Sequence, residues 1–164
     1  MTFSKKIVLK HSDLKKRITR FQNRGEKVVF TNGCFDLLHP GHTRYLKEAR
    51  GLGDKLIVAI NSDSSIHNLK GKLRPIQPEE ARVEIIAALE FVDWVTLFNE
   101  ATPLELIKAL APDILVKGGD WKVEDIVGAD IVKSNGGRVF SIPITYKCST
   151  SDIVDKIRDQ SIKG

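Results

Sequence analysis

The sequence predicts an α/β fold built on an open parallel β-sheet. Five short runs are almost continuously apolar instead of alternating, which is typical of strands covered on both faces. These runs are residues 28–30, 56–60, 94–98, 114–116 and 139–142. Helical patterns lie between them, so strand and helix alternate along the chain and the crossovers should be right-handed.

Composition indicates one globular domain. The chain has 164 residues, of which 41% are hydrophobic and 29% charged. This length suits a single hydrophobic core, and no linker, repeat or low-complexity tract interrupts it. We therefore expect one domain over residues 1–164, with an N-terminal helix at about 13–24 and an α/β core at about 27–160.

The predicted helices carry start and stop signals. Ser12 is placed to cap the first helix, and Gly25 follows it. Residues 79–90 put Ala81, Ile85, Ile86 and Leu89 on one side of a helix. Residues 102–105 have the pattern of a capping box with proline at the first helical position. Further helices are predicted at 123–134 and from Ser151 onward.

The most informative stretch is His39-Pro40-Gly41-His42, which lies between the first apolar run and a helical pattern. Free N–H groups and the positive end of the helix dipole favour an anion at a helix N-terminus. Imidazole donates hydrogen bonds to phosphate oxygens and can carry charge near neutral pH. A side chain in place of Gly41 would block the ligand or the helix start. The stretch predicts a site for the phosphates of a nucleoside triphosphate.

Two other interpretations of the histidines remain open. His-x-x-His can chelate zinc, but only Asp36 stands near at ligand spacing, and we therefore expect no bound metal. Both histidines could also be structural. Ligands of open α/β sheets lie beyond the carboxyl ends of the strands, which is where every polar motif of this chain falls.

Charge and cysteine content narrow the possible partners and compartment. The net charge of +5 suits an anionic ligand. The cluster at residues 15–17 lies in a helical pattern and is expected to be solvated, so nucleic acid is not expected to be a partner. Cys34 and Cys148 do not make a disulfide framework. No leader or membrane-spanning run is seen, and we expect a cytoplasmic protein that does not contact membranes.

The segment from Thr31 to His42 resembles the signature of the cytidylyltransferase-like nucleotidyltransferases. That signature is a strand, a Ser/Thr-x-Gly-x-Phe-Asp loop and His-x-Gly-His. Residues 61–63, 70–71, 74–75, 117–120 and 148–151 add a set of motifs similar to those of the adenylyltransferases that act on heptose 1-phosphate. The resemblance covers residues 27–157. In many bacteria this unit is the second half of a bifunctional kinase–adenylyltransferase, and here we expect it to act without a kinase half.

The resemblance implies a Rossmann-like sheet of strand order 3-2-1-4-5 with helices on both faces. It also implies transfer of AMP from ATP to D-glycero-D-manno-heptose 1-phosphate, with ADP-heptose and pyrophosphate as products. Mg²⁺ should accompany ATP, held largely by phosphates and water. Alternatives are a cytidylyltransferase for glycerol 3-phosphate or phosphoethanolamine and a non-catalytic nucleotide-binding module. A homodimer or higher homo-oligomer is expected, since symmetric dimers are the commonest assemblies.

The site residues follow from these motifs. His39, His42 and Lys70 are expected to contact the reacting phosphates. The expected nucleotide-binding residues are Asn32, Gly33, Cys34, Phe35, Gly41, Gly118, Gly119, Asp120, Ser149, Thr150 and Ser151. The expected substrate-binding residues are Asp36, Asn61, Asp63 and Arg74. Lys70 and Arg74 are placed in a polar loop, and Asp36 is expected to fix its loop by accepting backbone hydrogen bonds. Trp94 and Trp121 are interpreted as core and pocket wall.

Overall fold

Five parallel strands form one sheet in the computed structural model, which describes residues 3–144 and 149–162. The strands are β1 (Val28–Gly33), β2 (Lys55–Asn61), β3 (Trp94–Phe98), β4 (Ile114–Gly118) and β5 (Arg138–Ile142). Their order is β3-β2-β1-β4-β5, which confirms the predicted topology. The central strand β1 pairs with β2 on one side and β4 on the other.

Helices cover both faces of this sheet. They are α1 (His11–Gln22), α2 (Pro40–Gly51), α3 (Asp63–Lys70), α4 (Glu79–Ala88), α5 (Leu104–Leu110), α6 (Ala129–Ser134) and α7 (Thr150–Ile162). Short 3-10 helices span Phe3–Lys6 and Val123–Asp125. None of the helices within the described residues is long and apolar enough to cross a membrane.

Side-chain alternation divides the core into two layers. Phe30 of β1 and Leu115 of β4 pack with apolar residues of α1, α5 and α6. Their neighbours Val29 and Val116 pack with α2 and α4 on the opposite face. Because β1 and β4 lie side by side, α2 and α5 face each other across the carboxyl end of this strand pair.

Two strands extend into the motifs that follow them. β1 continues to Gly33, which pairs with Ile60, and β4 continues to Gly118, which pairs with Ile142. The apolar runs in the sequence end before these strands do, because the runs reflect only which side chains are buried. The backbone hydrogen bonds between strands continue through polar residues and glycine.

Several predicted helix ends are wrong. α1 begins at His11 after Lys10, so Ser12 lies inside the helix and is not its cap. α5 begins after Pro103, and no side chain caps it, so the predicted capping box does not form. The pattern at 123–134 is split by Gly128, whose φ of +87° interrupts a helix. By contrast, the last helix begins at Thr150, which agrees with the expected start near Ser151.

Helix α3 was missed, and one face of α4 was misread. The first is short and rich in serine and asparagine, which are weak helix formers, but Ser62 caps it by accepting a hydrogen bond from the Ser65 N–H. In α4, Ile85 is 38% exposed, whereas Arg82 is completely buried. A hydrophobic pattern cannot identify a buried arginine, because the partners of its guanidinium come from other segments.

Candidate active site

A cavity of about 650 Å³ opens at the carboxyl edge of the sheet, between the ends of β1, β2 and β4. The rest of its wall comes from the segments that follow these strands, from α3, from residues 101–103 before α5 and from the N-terminus of α7. A compartment of about 150 Å³ adjoins it beside Tyr45 and Ile144. The predicted site residues in the wall of the larger cavity are Asn32, Gly33, Cys34, Phe35, Asp36, His42, Asn61, Lys70, Gly118 and Thr150.

The two histidines lie together at the start of α2. His39 precedes the helix, and its carbonyl accepts a hydrogen bond from the His42 N–H at 2.9 Å. Their ring centroids are 3.9 Å apart, and the Phe35 ring meets the His42 ring edge-on at 5.4 Å. His39 is buried behind, while His42 lines the cavity. The fold therefore presents one imidazole to a ligand and supports it with two neighbouring rings.

His42 is neutral at pH 7 in the free protein. Burial lowers the pKa of its imidazole to about 4, and the nearby His39 and Lys70 add to this effect. Its Nδ1 is buried with no hydrogen-bond partner among the described residues. In the free protein, His42 therefore offers a ligand a hydrogen-bond donor and not a positive charge. A neutral ring still supplies one N–H donor.

Gly41 makes room for a neighbouring side chain at the start of α2, which is one of the two roles expected for it. A Cβ at this position would lie 2.9 Å from the Nδ1 and Cε1 atoms of His39 and 3.0 Å from a methyl carbon of Ile144. The absence of a side chain thus lets the His39 ring pack against the first turn of α2.

Asp36 holds two loops together. Its carboxylate accepts hydrogen bonds from the backbone N–H groups of Ile76 and Gln77 at 2.8 and 3.0 Å, and forms an ion pair with Arg74 at 2.8 Å. Burial alone would raise the pKa of Asp36, but these hydrogen bonds and the Arg74 charge outweigh it and lower the pKa. The loop-fixing interpretation is confirmed, and Arg74 is engaged by Asp36 behind the cavity.

Arg82 is the residue that sequence reasoning missed. Its completely buried guanidinium donates to the carbonyls of Cys34 at 2.7 Å and Gln77 at 3.0 Å, and to the Asp63 carboxylate at 2.7 Å. One side chain therefore ties the loop after β1, the loop before α4 and the start of α3 together. Asp63, predicted to bind substrate, is a partner in this connection.

Lys70 faces the cavity from the other side. It is the last residue of α3, so its predicted position in a loop is wrong. The helix ends at Gly71, whose φ of +87° favours glycine because a Cβ would be strained in this conformation. Lys70 is exposed and has no carboxylate within ion-pair distance among the described residues, which leaves its charge available to a ligand.

The end of β4 supplies a second lysine to the wall. Lys117 lines the main cavity and the smaller compartment, and burial lowers its pKa. Its ammonium lies 5.8 Å from the centroid of the Trp121 ring. Gly118 closes the wall beside Tyr45. Gly119 and the exposed Asp120 do not line these two cavities, although both were predicted to bind nucleotide.

The N-terminus of α7 meets the cavity through Thr150. Its hydroxyl donates to the Leu37 carbonyl at 3.3 Å. Ser149 and Asp152 cap the helix reciprocally, since each accepts a hydrogen bond from the backbone N–H of the other. Ser151 is exposed, and Cys148, the first residue of this motif, lies outside the described residues.

Among the described residues, there is no group of three or more histidine, cysteine or acidic side chains that could hold a metal ion. Asp36, the carboxylate in the cavity wall, already has three hydrogen-bond partners. The donors that face the cavity are instead suited to anions.

Comparison with known proteins agrees with this geometry. The chain is 55% identical over 139 residues to the bifunctional protein HldE of Hahella chejuensis, covering 85% of this chain and 29% of that protein. It is 51% identical over 156 residues to HldE of Salmonella arizonae, covering 95% of this chain and 33% of that one. The chain thus spans about a third of the length of these relatives.

A solved structure extends the likeness to the fold. The lipopolysaccharide core biosynthesis protein of Thermoplasma volcanium matches with a TM-score of 0.60 and 33% identity, over 76% of this chain and all of that one. The cytidylyltransferase-like family model matches residues 30–156, from the centre of β1 into α7. On these grounds the chain belongs to the cytidylyltransferase-like family.

Proposed function

We propose that this protein transfers AMP from ATP to a sugar 1-phosphate, D-glycero-D-manno-heptose 1-phosphate, and so makes ADP-heptose for the lipopolysaccharide core. The observation that carries the proposal is the cavity at the carboxyl edge of the sheet, where His42, Lys70 and Lys117 meet without a carboxylate partner for either lysine among the described residues. The family, and the naming of a relative for lipopolysaccharide core biosynthesis, support the choice of reaction and product.

The triphosphate fits best against the N-terminus of α2. Helix N–H groups and the dipole attract anions there, and His42 adds one N–H donor. The backbone of Gly33, Cys34 and Phe35 lines the same side of the cavity, and Thr150 stands at its rim. Mg²⁺ would arrive with ATP as part of the substrate.

The reaction needs positioning more than acid–base chemistry. A phosphate monoester has a second pKa of about 6, so the acceptor oxygen is already a nucleophile at pH 7. This oxygen attacks the α-phosphorus, the bond between that phosphorus and the bridging oxygen breaks, and pyrophosphate leaves with the electron pair. Lys70 would neutralise charge where the two anions meet, and the N–H of His42 would stabilise the α-phosphate.

The test is pyrophosphate release with heptose 1-phosphate and each of the four nucleoside triphosphates. We expect pyrophosphate release with heptose 1-phosphate only when the nucleoside triphosphate is ATP. Release with CTP and glycerol 3-phosphate or phosphoethanolamine would replace the proposal with a cytidylyltransferase. Binding of ATP without release in any combination would identify a nucleotide-binding module.

The remaining proposals concern assembly and location. We propose a homodimer or higher homo-oligomer that works in the cytoplasm, where ATP is available. Light scattering on the purified protein would measure the mass, and cell fractionation would locate it. A monomer at working concentration would contradict the first proposal, and a membrane-bound fraction the second.

A further inference from the structure

Lys117 and His42 approach the cavity from opposite faces of the sheet. In β4, Leu115 packs with α5 and α6, while Val116 packs with α2. Side chains alternate along a strand, so Lys117 projects on the same face as Leu115. His42 belongs to α2, on the other face. The cavity therefore has a side built by α2 and a side that faces α5.

The side that faces α5 has a cation with no carboxylate partner. Lys117 is half-buried, and the part of the chain that the structure describes places no carboxylate within ion-pair distance of it. Burying an ammonium group is costly unless a counter-charge is supplied. The compartment beside it is lined by Asn32, Pro103 and Asp125, and the Asp125 carboxylate lies outside ion-pair distance of the Lys117 ammonium. An anionic group of a ligand is the partner that this position lacks.

Trp121 provides a flat apolar surface on the same side. The indole is 50% exposed, and its Nε1 donates to the Gly118 carbonyl at 3.2 Å. A Cβ on Gly119 would lie 2.9 Å from that nitrogen, so glycine is needed for the ring to lie there. The backbone N–H of Trp121 is held by the Ser141 hydroxyl at 3.0 Å. The ring is thus fixed in the cavity wall with one part open to a ligand.

In-line transfer assigns the two sides to two substrates. The attacking oxygen must approach the α-phosphorus opposite the departing pyrophosphate. With the triphosphate against α2, the acceptor has to enter from the side that faces α5. An aromatic ring beside a cation suits a sugar phosphate. The C–H groups of the sugar can pack against the indole, and the negatively charged phosphate can bind the ammonium group.

We infer that Lys117 and Trp121 form the acceptor subsite, in which Lys117 Nζ binds the phosphate monoester and the Trp121 indole packs against the sugar ring. This inference rests on the proposed function and adds residues that set the specificity for the acceptor. It separates the roles of the lysines, because Lys117 holds the acceptor phosphate and Lys70 lies where the two substrates meet.

Steady-state kinetics with Lys117→Met tests the inference, since methionine keeps much of the volume and removes the charge. We expect the KM for heptose 1-phosphate to rise about tenfold or more, the scale of one charge-assisted hydrogen bond, and the KM for ATP to stay within about twofold. Lys117→Arg should recover part of the loss. A rise in the KM for ATP alone would overturn the inference.

Intrinsic fluorescence measures acceptor binding without turnover. Trp94 is buried and Trp121 is half-exposed, so heptose 1-phosphate should change the emission of Trp121 in a saturable way. The change should vanish in Trp121→Phe and shift to higher concentration in Lys117→Met. Heptose without its phosphate is the matched control ligand and should bind more weakly.

The two experiments separate the inference from the proposed function. If the wild-type protein releases no pyrophosphate with any sugar 1-phosphate, the proposed function is wrong. The titration then decides the subsite by itself. A saturable signal that depends on Lys117 and Trp121 supports it, and an emission change that persists in Trp121→Phe, or no change at all, overturns it.

Discussion

At the amino edge of the sheet, three aspartates fasten the beginnings of strands, whereas at the carboxyl edge cations line a cavity without carboxylates of their own. Asp54, Asp93 and Asp113 accept the backbone N–H groups of Lys27, Leu56 and Val28 at 2.7, 2.9 and 3.1 Å. Arg50 and Lys55 also pair with Asp93 at 3.0 and 3.2 Å. The carboxylates of these three aspartates have their partners within the protein and stabilise the fold.

Cavity size does not distinguish the two edges. The amino edge also has a cavity, of about 510 Å³, in which Lys27 is paired with Asp113 at 3.1 Å and the exposed Arg138 has no carboxylate within ion-pair distance among the described residues. At the carboxyl edge Arg74 and Arg82 do not line the cavity, and Asp36 in its wall is already paired with Arg74, whereas the two lysines face the open space. The convergence of Lys70, Lys117 and the first turn of α2 on one cavity, and not volume or a single unpaired cation, therefore indicates where an anionic ligand binds.

The largest effect should come from removing the buried support behind the carboxyl edge. Arg82→Met leaves the Asp63 carboxylate and two carbonyl groups without their donor. We expect the free energy of unfolding, measured with urea, to fall by about 3 kcal/mol. We also expect kcat to fall at temperatures where the variant is folded, because two loops of the site lose their shared anchor.

Arg20→Met on α1 is the matched control, since Arg20 is exposed. Its unfolding free energy should stay within about 0.5 kcal/mol of the wild type. If Arg82→Met were as stable and as active as this control, Arg82 would not support the site, and the distinction between supporting and ligand-facing charges would be wrong.

His42→Ala should have the largest effect on catalysis alone. Loss of one preorganised donor lowers kcat by about 10²-fold. Stability at pH 7 should change little, because the Nδ1 of His42 makes no hydrogen bond with the described residues. His67→Ala, an exposed histidine on α3, is the control and should retain full turnover. Turnover of His42→Ala within a few fold of the wild type would refute the role proposed for this imidazole.

Asp113→Asn and Lys70→Met should give opposite results. The amide of the first variant places a donor against Gln22 and Lys27, so the unfolding free energy should fall by about 1–2 kcal/mol while both KM values remain unchanged. The second variant should unfold like the wild type and lose activity. Urea denaturation and steady-state kinetics measure both properties. If the two variants lost stability and activity to the same extent, the comparison between the edges would be wrong.

The smallest effect concerns pH. The pKa of His42 is about 4 when folded and about 6.5 when unfolded. The unfolded chain therefore takes up the proton first, and this residue destabilises the fold as pH falls from 6.5 towards 4. Between pH 7 and 4.5 the stability of His42→Gln should improve relative to the wild type by about 1 kcal/mol, which is less than the full pKa difference would give because solvent reaches the partly buried ring. If the urea midpoints of the wild type and His42→Gln shifted by the same amount between the two pH values, the lowered pKa would be contradicted.

Local patterns predicted much of the site because its donors come in short contiguous motifs. Gly33 and Gly118 end their strands, His42 lies in the first turn of the helix that follows β1, and the parallel sheet brings these segments to one edge. The residues that were misplaced depend on partners far away in sequence. Arg74 was expected to face substrate, yet its charge is taken by Asp36, 38 residues away.

By itself, the sequence determined the alternation of buried strands with helices and the edge at which the polar motifs converge, because burial is recorded in local apolar periodicity. The strand order was implied by the resemblance to a known family. Only the tertiary structure decided which charges are available. It buried Arg82 as a support, made His42 neutral by desolvation and left Lys117 facing the cavity. The physical reason is that the state of a charged group depends on its solvation and its neighbours, and both are set by segments that meet only in the folded chain.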